Sequence, residues 1–260
     1  MKYKELFSLE GKKAMVIGGG GGIGREIAHG FADFGAEVCI ASRNMDGLLE
    51  VAKEIEEETG SKVHCYTVDV ASEQSIIDLA AKVKEEVGTI DILVNSMGYN
   101  KKFSTLDCPI EEWDMHYTVN IRGLMLCCRE FGKGMIEQKY GRIINIGSIG
   151  AMRHSVSGVS GAYSSTKGAV QSFSTQLAAE WAKHNITVNQ ICPILTLTKM
   201  MEPIKAKDPE HFAKIEARNP MGRLGLPSDA VGMAVYFASE ASSFVTGQRL
   251  YPDGGLMLLQ

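Results

Sequence analysis

The stretch V-I-G-G-G-G-G-I-G-R-E, residues 16–26, holds five consecutive glycines, Gly18 to Gly22, and a sixth at Gly24. It satisfies two phosphate-loop spacings at once: G-x-G-x-x-G through Gly19, Gly21 and Gly24, and G-x-x-x-G-x-G through Gly18, Gly22 and Gly24. The apolar segment KKAMVI (12–17) precedes it, and Ile27, Phe31 and Phe34 follow at helical spacing. The run therefore sits at a strand-to-helix turn and is not a flexible linker. Glycine there permits a tight turn and lets backbone N–H groups approach a phosphate at the positive end of a helix. A dinucleotide is the natural ligand of such a βαβ unit, although the glycine motif alone is weak evidence.

Further apolar, β-branched runs recur along the chain: EVCIA (37–41), KVHCYTV (62–68), DILVN (91–95), RIINIG (142–147), ITVNQIC (186–192) and QRLYP (248–252). Between them lie segments of helical period, such as that of Leu48, Val51 and Ile55. Regular alternation of strand and helix predicts one parallel sheet, because parallel neighbours require crossover connections. The expectation is an α/β, doubly wound Rossmann fold of seven parallel strands with helices on both faces, in one domain over residues 1–260. Residues 193–226 break the alternation with several prolines and glycines, which predicts a substrate lid.

Composition narrows the functional classes. The formal net charge is -4, with no basic stripe, so no nucleic acid partner is expected. No apolar run approaches the roughly 18 residues of a membrane span and the N-terminus lacks a signal-like apolar stretch, so a cytoplasmic protein without membrane association is expected. The six cysteines form no C-x-x-C and have no histidine at metal-ligand spacing. No metal is expected, and Cys39, Cys65 and Cys192 read as small core residues.

The end of the second strand bears on the cofactor. A carboxylate there suits the free 2′-hydroxyl of NAD, whereas a cation suits the 2′-phosphate of NADP. The strand ends CIASRN, placing Ser42 and Arg43 at that position with no acidic residue. The arginine fork suits phosphate, so NADPH is expected in preference to NADH.

Residues 162–184 read as a helix on which Tyr163 and Lys167, four apart, share a face. The pair is poor evidence alone; context raises it. Upstream, RIINIGS puts Ser148 just past a strand end, on the side of the sheet where such folds bind ligands. Hydride transfer to a carbonyl leaves charge on oxygen that an acid must neutralise. A phenol, with a free pKa of about 10, is a reluctant donor and base, and a neighbouring lysine cation favours its ionised form. Ser148 would hold the substrate oxygen.

Taken together, these residues resemble the short-chain dehydrogenase/reductase family over nearly the whole chain. GGGGGIG resembles its G-x-x-x-G-x-G loop, Asp69-Val70 its adenine-side pair, NSMG (95–98) its N-N-A-G segment, and TVN (118–120) its catalytic asparagine segment; GRLGLPSDA and SSFVTGQRLYPDGG resemble its C-terminal region. The resemblance implies a catalytic tetrad of Asn120, Ser148, Tyr163 and Lys167, with Asn120 holding a water that links Lys167 to solvent. It implies cofactor contacts from Gly18, Gly21, Gly22, Ile23, Gly24, Ser42, Arg43, Asp69, Val70, Asn95, Gly98, Tyr163, Lys167, Thr196 and Thr198, and a homotetramer. The apolar C-terminal LMLLQ is compatible with a buried interface. Three positions depart from the family pattern: Ile17 for threonine, Ser96-Met97 for Asn-Ala, and Ile194 for glycine after proline.

LFSLEGKKA, the SRN segment, GYNKK, MGRLGLP and SSFVTGQ are most similar to the family's sugar-acid reductases, of the gluconate 5-dehydrogenase type. That similarity implies a substrate such as 5-keto-gluconate and its hydroxy acid. Lys101, Lys102 and His154, with Ser148 and Tyr163, are the candidate substrate contacts, and Arg153 is a further polar candidate. Reductases of 3-oxoacyl-carrier proteins, hydroxysteroid dehydrogenases and, in another class, a non-catalytic NADP-binding sensor are the alternatives; retention of both Tyr163 and Lys167 weighs against the last.

Overall fold

The computed structural model describes residues 2–153 and 160–259; the candidate His154 lies outside them. All seven expected strands form: β1 (Lys13–Ile17), β2 (Glu37–Ser42), β3 (Val63–Thr67), β4 (Ile92–Asn95), β5 (Gly141–Ile146), β6 (Ile186–Ile191) and β7 (Arg249–Leu250). They pair in parallel in the order β3-β2-β1-β4-β5-β6-β7. Strand order reverses between β1 and β4, and in open sheets of this kind ligands bind outside the carboxyl ends of the strands at that crevice.

Continuous burial of the central strands follows from helices on both faces, so successive side chains enter opposite cores. On one face Ala14, Val16, Val38, Ile40, Ile92 and Val94 pack with helices α1 (Gly22–Asp33), α2 (Met45–Thr59) and, later in the chain, α9 (Val231–Ala238). On the other, Met15, Ile17, Cys39, Ala41 and Leu93 pack with α3 (Glu73–Glu86), α5 (Leu124–Gln138) and α6 (Gly161–Trp181). Ile27, Phe31, Leu48, Val51 and Ile55 are buried as their spacing predicts. Phe34 is instead 41% exposed, because α1 ends at Asp33 and Phe34 caps it from outside the helical phase. Cys39 and Cys192 are buried and Cys65 partly so.

Helix α4 (Ile110–Tyr117) runs directly into a π-helical turn, Thr118–Gly123, before α5. The turn's far end abuts the turn that follows β3: a methyl on Gly123 would stand 2.6 Å from the Val70 carbonyl oxygen. The excursion after β6 contains two short helices, α7 (Glu202–Lys207) and α8 (Pro209–Ala217), pinned at its base by a bridge between Thr196 and Gly225. No helix among the described residues is long and apolar enough to cross a membrane.

Candidate active site

The glycine run divides by geometry. Gly18 has φ +85° and a methyl on it would stand 2.8 Å from the Ser96 carbonyl oxygen; Gly22 has φ +54°. At Gly24, where α1 crosses the end of β1, a methyl would stand 2.9 Å from the Gly18 carbonyl carbon and closer still to its oxygen. These are the positions of the G-x-x-x-G-x-G spacing, and each needs glycine for backbone reasons. Of the interior three, Gly19 is pressed against Ile40, Gly20 against the Ser42 hydroxyl, and Gly21 faces open space with no heavy atom within 4 Å of an added methyl.

This geometry fits a dinucleotide. Helix α1 begins at Gly22 and, with glycine at its N-cap, no side chain caps it, so the first-turn N–H groups of Gly22, Ile23 and Gly24 are free to receive an anion. Thr198, from the base of the excursion after β6, stands over the turn, 3.3 Å from where a methyl on Gly22 would lie. Thr196 donates its hydroxyl to the Ile194 carbonyl (2.9 Å). Arg43 is exposed beyond the end of β2, and no acidic residue forms an ion pair with it among the described residues. Ser42 Oγ accepts from the Asn44 backbone amide (3.3 Å), and the Asn44 side chain caps α2 by accepting from the Gly47 amide. Asp69 accepts from the Ala71 amide and its own amide donates to Ser75, fixing the turn that carries Val70.

Beside β1, the Asn95 side chain turns away from the crevice into the core, donating to Asn145 Oδ1 (2.9 Å). Asn145 in turn donates to Ser174 Oγ (2.8 Å) on α6. Asn95 therefore reaches a ligand only through its backbone. Its own Oδ1 is a buried acceptor with no partner; Ile17, paired with it across β1 and β4, brings no hydroxyl. Past Asn95, Ser96 donates its amide to the Ile17 carbonyl (2.9 Å) and Gly98 is exposed.

The four tetrad candidates converge from three elements. Lys167, 4% exposed, donates from Nζ to the Ile146 carbonyl at the end of β5 (2.7 Å), and its ammonium lies 5.7 Å from the centroid of the Tyr163 ring. Ser148, two residues past β5, accepts from the Gly150 amide (3.0 Å), and the space above Gly150 lies between Ser148 Oγ and the Tyr163 ring. Asn120, on the π turn, uses its side chain fully: Oδ1 accepts from Tyr99 N (2.7 Å), and Nδ2 donates to Tyr99 O (2.9 Å) and Thr166 Oγ1 (3.0 Å). Thr166 passes the link on to the Tyr163 carbonyl (2.8 Å). Burial pushes the nearby Cys192 thiol up to about 11, so it remains protonated at neutral pH.

The two lysines after β4 differ. Lys101 pairs through Nζ with Glu112 on α4, which also accepts from the Tyr99 phenol (2.5 Å). Those two bonds, the lysine's first, hold the Glu112 carboxyl below its ordinary range, and the Glu112 bond raises Lys101 and Tyr99. Lys102 is exposed and has no acidic partner among the described residues. Arg153 is engaged elsewhere: its guanidinium donates to the Leu256 carbonyl near the C-terminus. Glu112 and His116 lie in no motif, and Tyr99, within GYNKK, and Thr166, between Tyr163 and Lys167, were given no role of their own. The only hint is that His116 precedes Asn120 by four residues on one helical run.

A family model described as enoyl-(acyl carrier protein) reductase matches residues 18–257. The chain belongs to the short-chain dehydrogenase/reductase family. It is 34% identical over 256 residues to gluconate 5-dehydrogenase of Gluconobacter oxydans (strain 621H), covering 98% of each chain. It is 33% identical to the 3-oxoacyl-[acyl-carrier-protein] reductase of Aquifex aeolicus (strain VF5), covering 95% of this chain and 98% of the other. A solved gluconate 5-dehydrogenase from Burkholderia cenocepacia J2315, in complex with NADP and tartrate, superposes with a TM-score of 0.92 at 30% identity, covering 98% of this chain and 99% of that one. As a member of this short-chain family, the protein is an NAD(P)-dependent oxidoreductase acting on CH–OH groups.

Proposed function

We propose that the protein is an NADPH-linked reductase interconverting a keto sugar acid, such as 5-keto-gluconate, and its hydroxy acid. The observation that carries this reading is the segment following β4, at the mouth of the crevice, where Lys102 presents an unpaired ammonium while Lys101 is withdrawn to Glu112. A substrate carboxylate is the partner such a cation suits. Support comes from the relative that holds NADP together with tartrate, a hydroxy dicarboxylate. Arg43, exposed and free of carboxylates at the end of β2, supports the choice of NADPH.

The first turn of α1 would hold the pyrophosphate, with Thr198 above it and Arg43 on the 2′-phosphate. NADPH, when bound, supplies the hydride. Ser148 donates its hydroxyl to the substrate carbonyl oxygen and fixes it beside Tyr163. As the carbon is reduced, Tyr163 gives its phenolic proton to that oxygen, so the product leaves as an alcohol and the tyrosine as phenolate. The Lys167 ammonium, buried and anchored on the Ile146 carbonyl, offsets the phenolate charge. Asn120, locked to Tyr99 and Thr166, keeps the π turn and α6 in register for return of the proton from solvent. The chain would act as a homotetramer, as the family resemblance implies.

A second reading, reduction of a 3-oxoacyl thioester, is favoured by apolar lid residues, Met200 at 82% and Ile204 at 50% exposure, and by the carrier-protein reductase relative. NADPH oxidation followed at 340 nm against 5-keto-gluconate, other keto sugar acids, acetoacetyl thioesters and ketosteroids decides between them. Keto acids should be the preferred substrates. Activity confined to the thioesters or steroids would overturn the reading.

A further inference from the structure

The segment linking β4 to α4 is held at alternate residues. Tyr99 is gripped by the Asn120 side chain through both its N–H and its C=O. Lys101 donates its backbone N–H to His116 Nε2 (3.2 Å). Phe103 forms a parallel bridge with Ser160, three residues before Tyr163. The segment thus spans from the asparagine of the π turn to the start of the tyrosine helix; Asn100, Lys101 and Lys102 are all exposed, but the Lys101 ammonium is held by Glu112, so Asn100 and Lys102, the residues between the anchors, are the ones left to face the crevice mouth.

His116 supplies the middle anchor. It is fully buried on α4, and both ring nitrogens are committed: Nδ1 lies 2.6 Å from the Glu112 carbonyl, which can only accept, and Nε2 faces the Lys101 N–H, which can only donate. The bonds therefore define a neutral ring protonated at Nδ1. The Tyr99 ring stands edge-on to it at 4.9 Å, so the imidazole is wedged between helix and segment. The site's other residues have ready roles in cofactor, carbonyl or proton chemistry; a buried histidine spent on one loop amide does not.

We propose that His116 is a positioning residue for substrate recognition: by anchoring the Lys101 amide it sets where Asn100 and Lys102 stand at the mouth of the crevice. The inference that the positioned cation meets a carboxylate rests on the proposed function above; the anchoring itself does not. It touches neither cofactor nor reacting atoms, so its effect belongs in substrate KM.

Two variants separate anchoring from bulk packing. In His116→Asn the amide can still reach the Glu112 carbonyl on its own helix but falls short of Lys101; in His116→Gln the longer side chain brings an acceptor back to the Nε2 position. H116N should raise KM for 5-keto-gluconate about tenfold, equivalent to about 1.4 kcal/mol, and leave kcat and KM for NADPH within about twofold. H116Q should return substrate KM to within about threefold of wild type. Unchanged substrate KM in H116N, equal impairment in H116Q, or an equal rise in KM for NADPH would overturn the proposal. If the wild type does not reduce 5-keto-gluconate, the carboxylate reading fails on its own, and the same comparison on the best ketone of the panel still judges His116. Independently of any substrate or variant, the 15N spectrum of histidine-labelled wild type should contain a ring protonated at Nδ1 with an unprotonated Nε2, lost in H116Q. Assignment of the His116 proton to Nε2 would overturn the proposal.

Discussion

Substituting Gly24→Ala and Gly21→Ala, each singly with the other glycines kept, should separate what the glycines do for the fold from what they do for the cofactor. At Gly24 the new methyl would stand 2.9 Å from the Gly18 carbonyl carbon and 3.2 Å from Ser96 Cβ, against 3.4–4 Å for ordinary contact. Both neighbours are rigid: one is backbone, the other begins a side chain on the strand end that already crowds Gly18. The first turn of α1 must therefore move off β1 by more than about 0.5 Å, and overpacking of this kind costs about 1–3 kcal/mol. For a chain of this size that corresponds to a fall in Tm of roughly 2–12 °C. The same movement misaims N–H donors at the proposed pyrophosphate site. Losing one charge-assisted bond, worth about 1.5–3 kcal/mol, weakens NADPH binding roughly 10- to 150-fold. At Gly21 nothing lies within 4 Å of the added methyl, so Tm should change by less than about 3 °C while NADPH affinity still falls, because that methyl occupies the space left for the ligand. Differential scanning fluorimetry and titration of NADPH fluorescence read the two effects separately. A Gly24→Ala protein with wild-type Tm and wild-type NADPH affinity would refute the reasoning.

Arg43→Ala should lower kcat/KM for NADPH by about tenfold or more, the loss of one charge-assisted phosphate contact at an exposed site, and leave NADH nearly unaffected; equal losses with both cofactors would count against its assignment to the 2′-phosphate. Acid stability should depend on Asp229, whose carboxyl is held below its ordinary range chiefly by its hydrogen bonds with Arg223. Because the folded state binds this proton less readily than the unfolded chain, the stabilisation is present above about pH 4 and is lost as pH falls through the depressed folded value. Urea midpoints measured from pH 6 to pH 3 should therefore fall less steeply in Asp229→Asn than in wild type, and parallel curves would contradict the assignment.

Most of the fold was readable because its strands are short apolar runs rich in β-branched residues that alternate with helical periods; the polar residues they bury, such as Asn95, Asn145, Asn189 and Gln190, did not break those runs. Helix phase was readable while the helix lasted: Ile27 and Phe31 are buried, whereas Phe34 lies one residue past the end of α1, a boundary that periodicity does not mark. Tyr163 and Lys167 were readable because helical spacing of four places them on one face and Ser148, just past a strand end, supplies the context. Lys101 was not, because the carboxylate that withdraws it, Glu112, sits eleven residues away on a helix whose placement depends on tertiary packing. For Arg153, read only as a further polar candidate, the hydrogen bond was not legible for the same reason: its acceptor, the Leu256 carbonyl, is 103 residues distant and is a backbone atom without a sequence signature. His116 and the Asn120 side chain likewise act on backbone groups of Tyr99 and Lys101, whose residue types carry no trace of the contact.

Tyr163 delivers the proton in the proposed reaction and adds at most one hydrogen bond to a cofactor that the first turn of α1 and Arg43 would chiefly hold. The most direct test of this role is NADPH titration and steady-state reduction of the preferred ketone with Tyr163→Phe. Turnover should fall to background while NADPH affinity stays within about tenfold of wild type, since the lost hydroxyl contributes at most about one hydrogen bond to the cofactor. Turnover at wild-type rates in that variant would contradict that role.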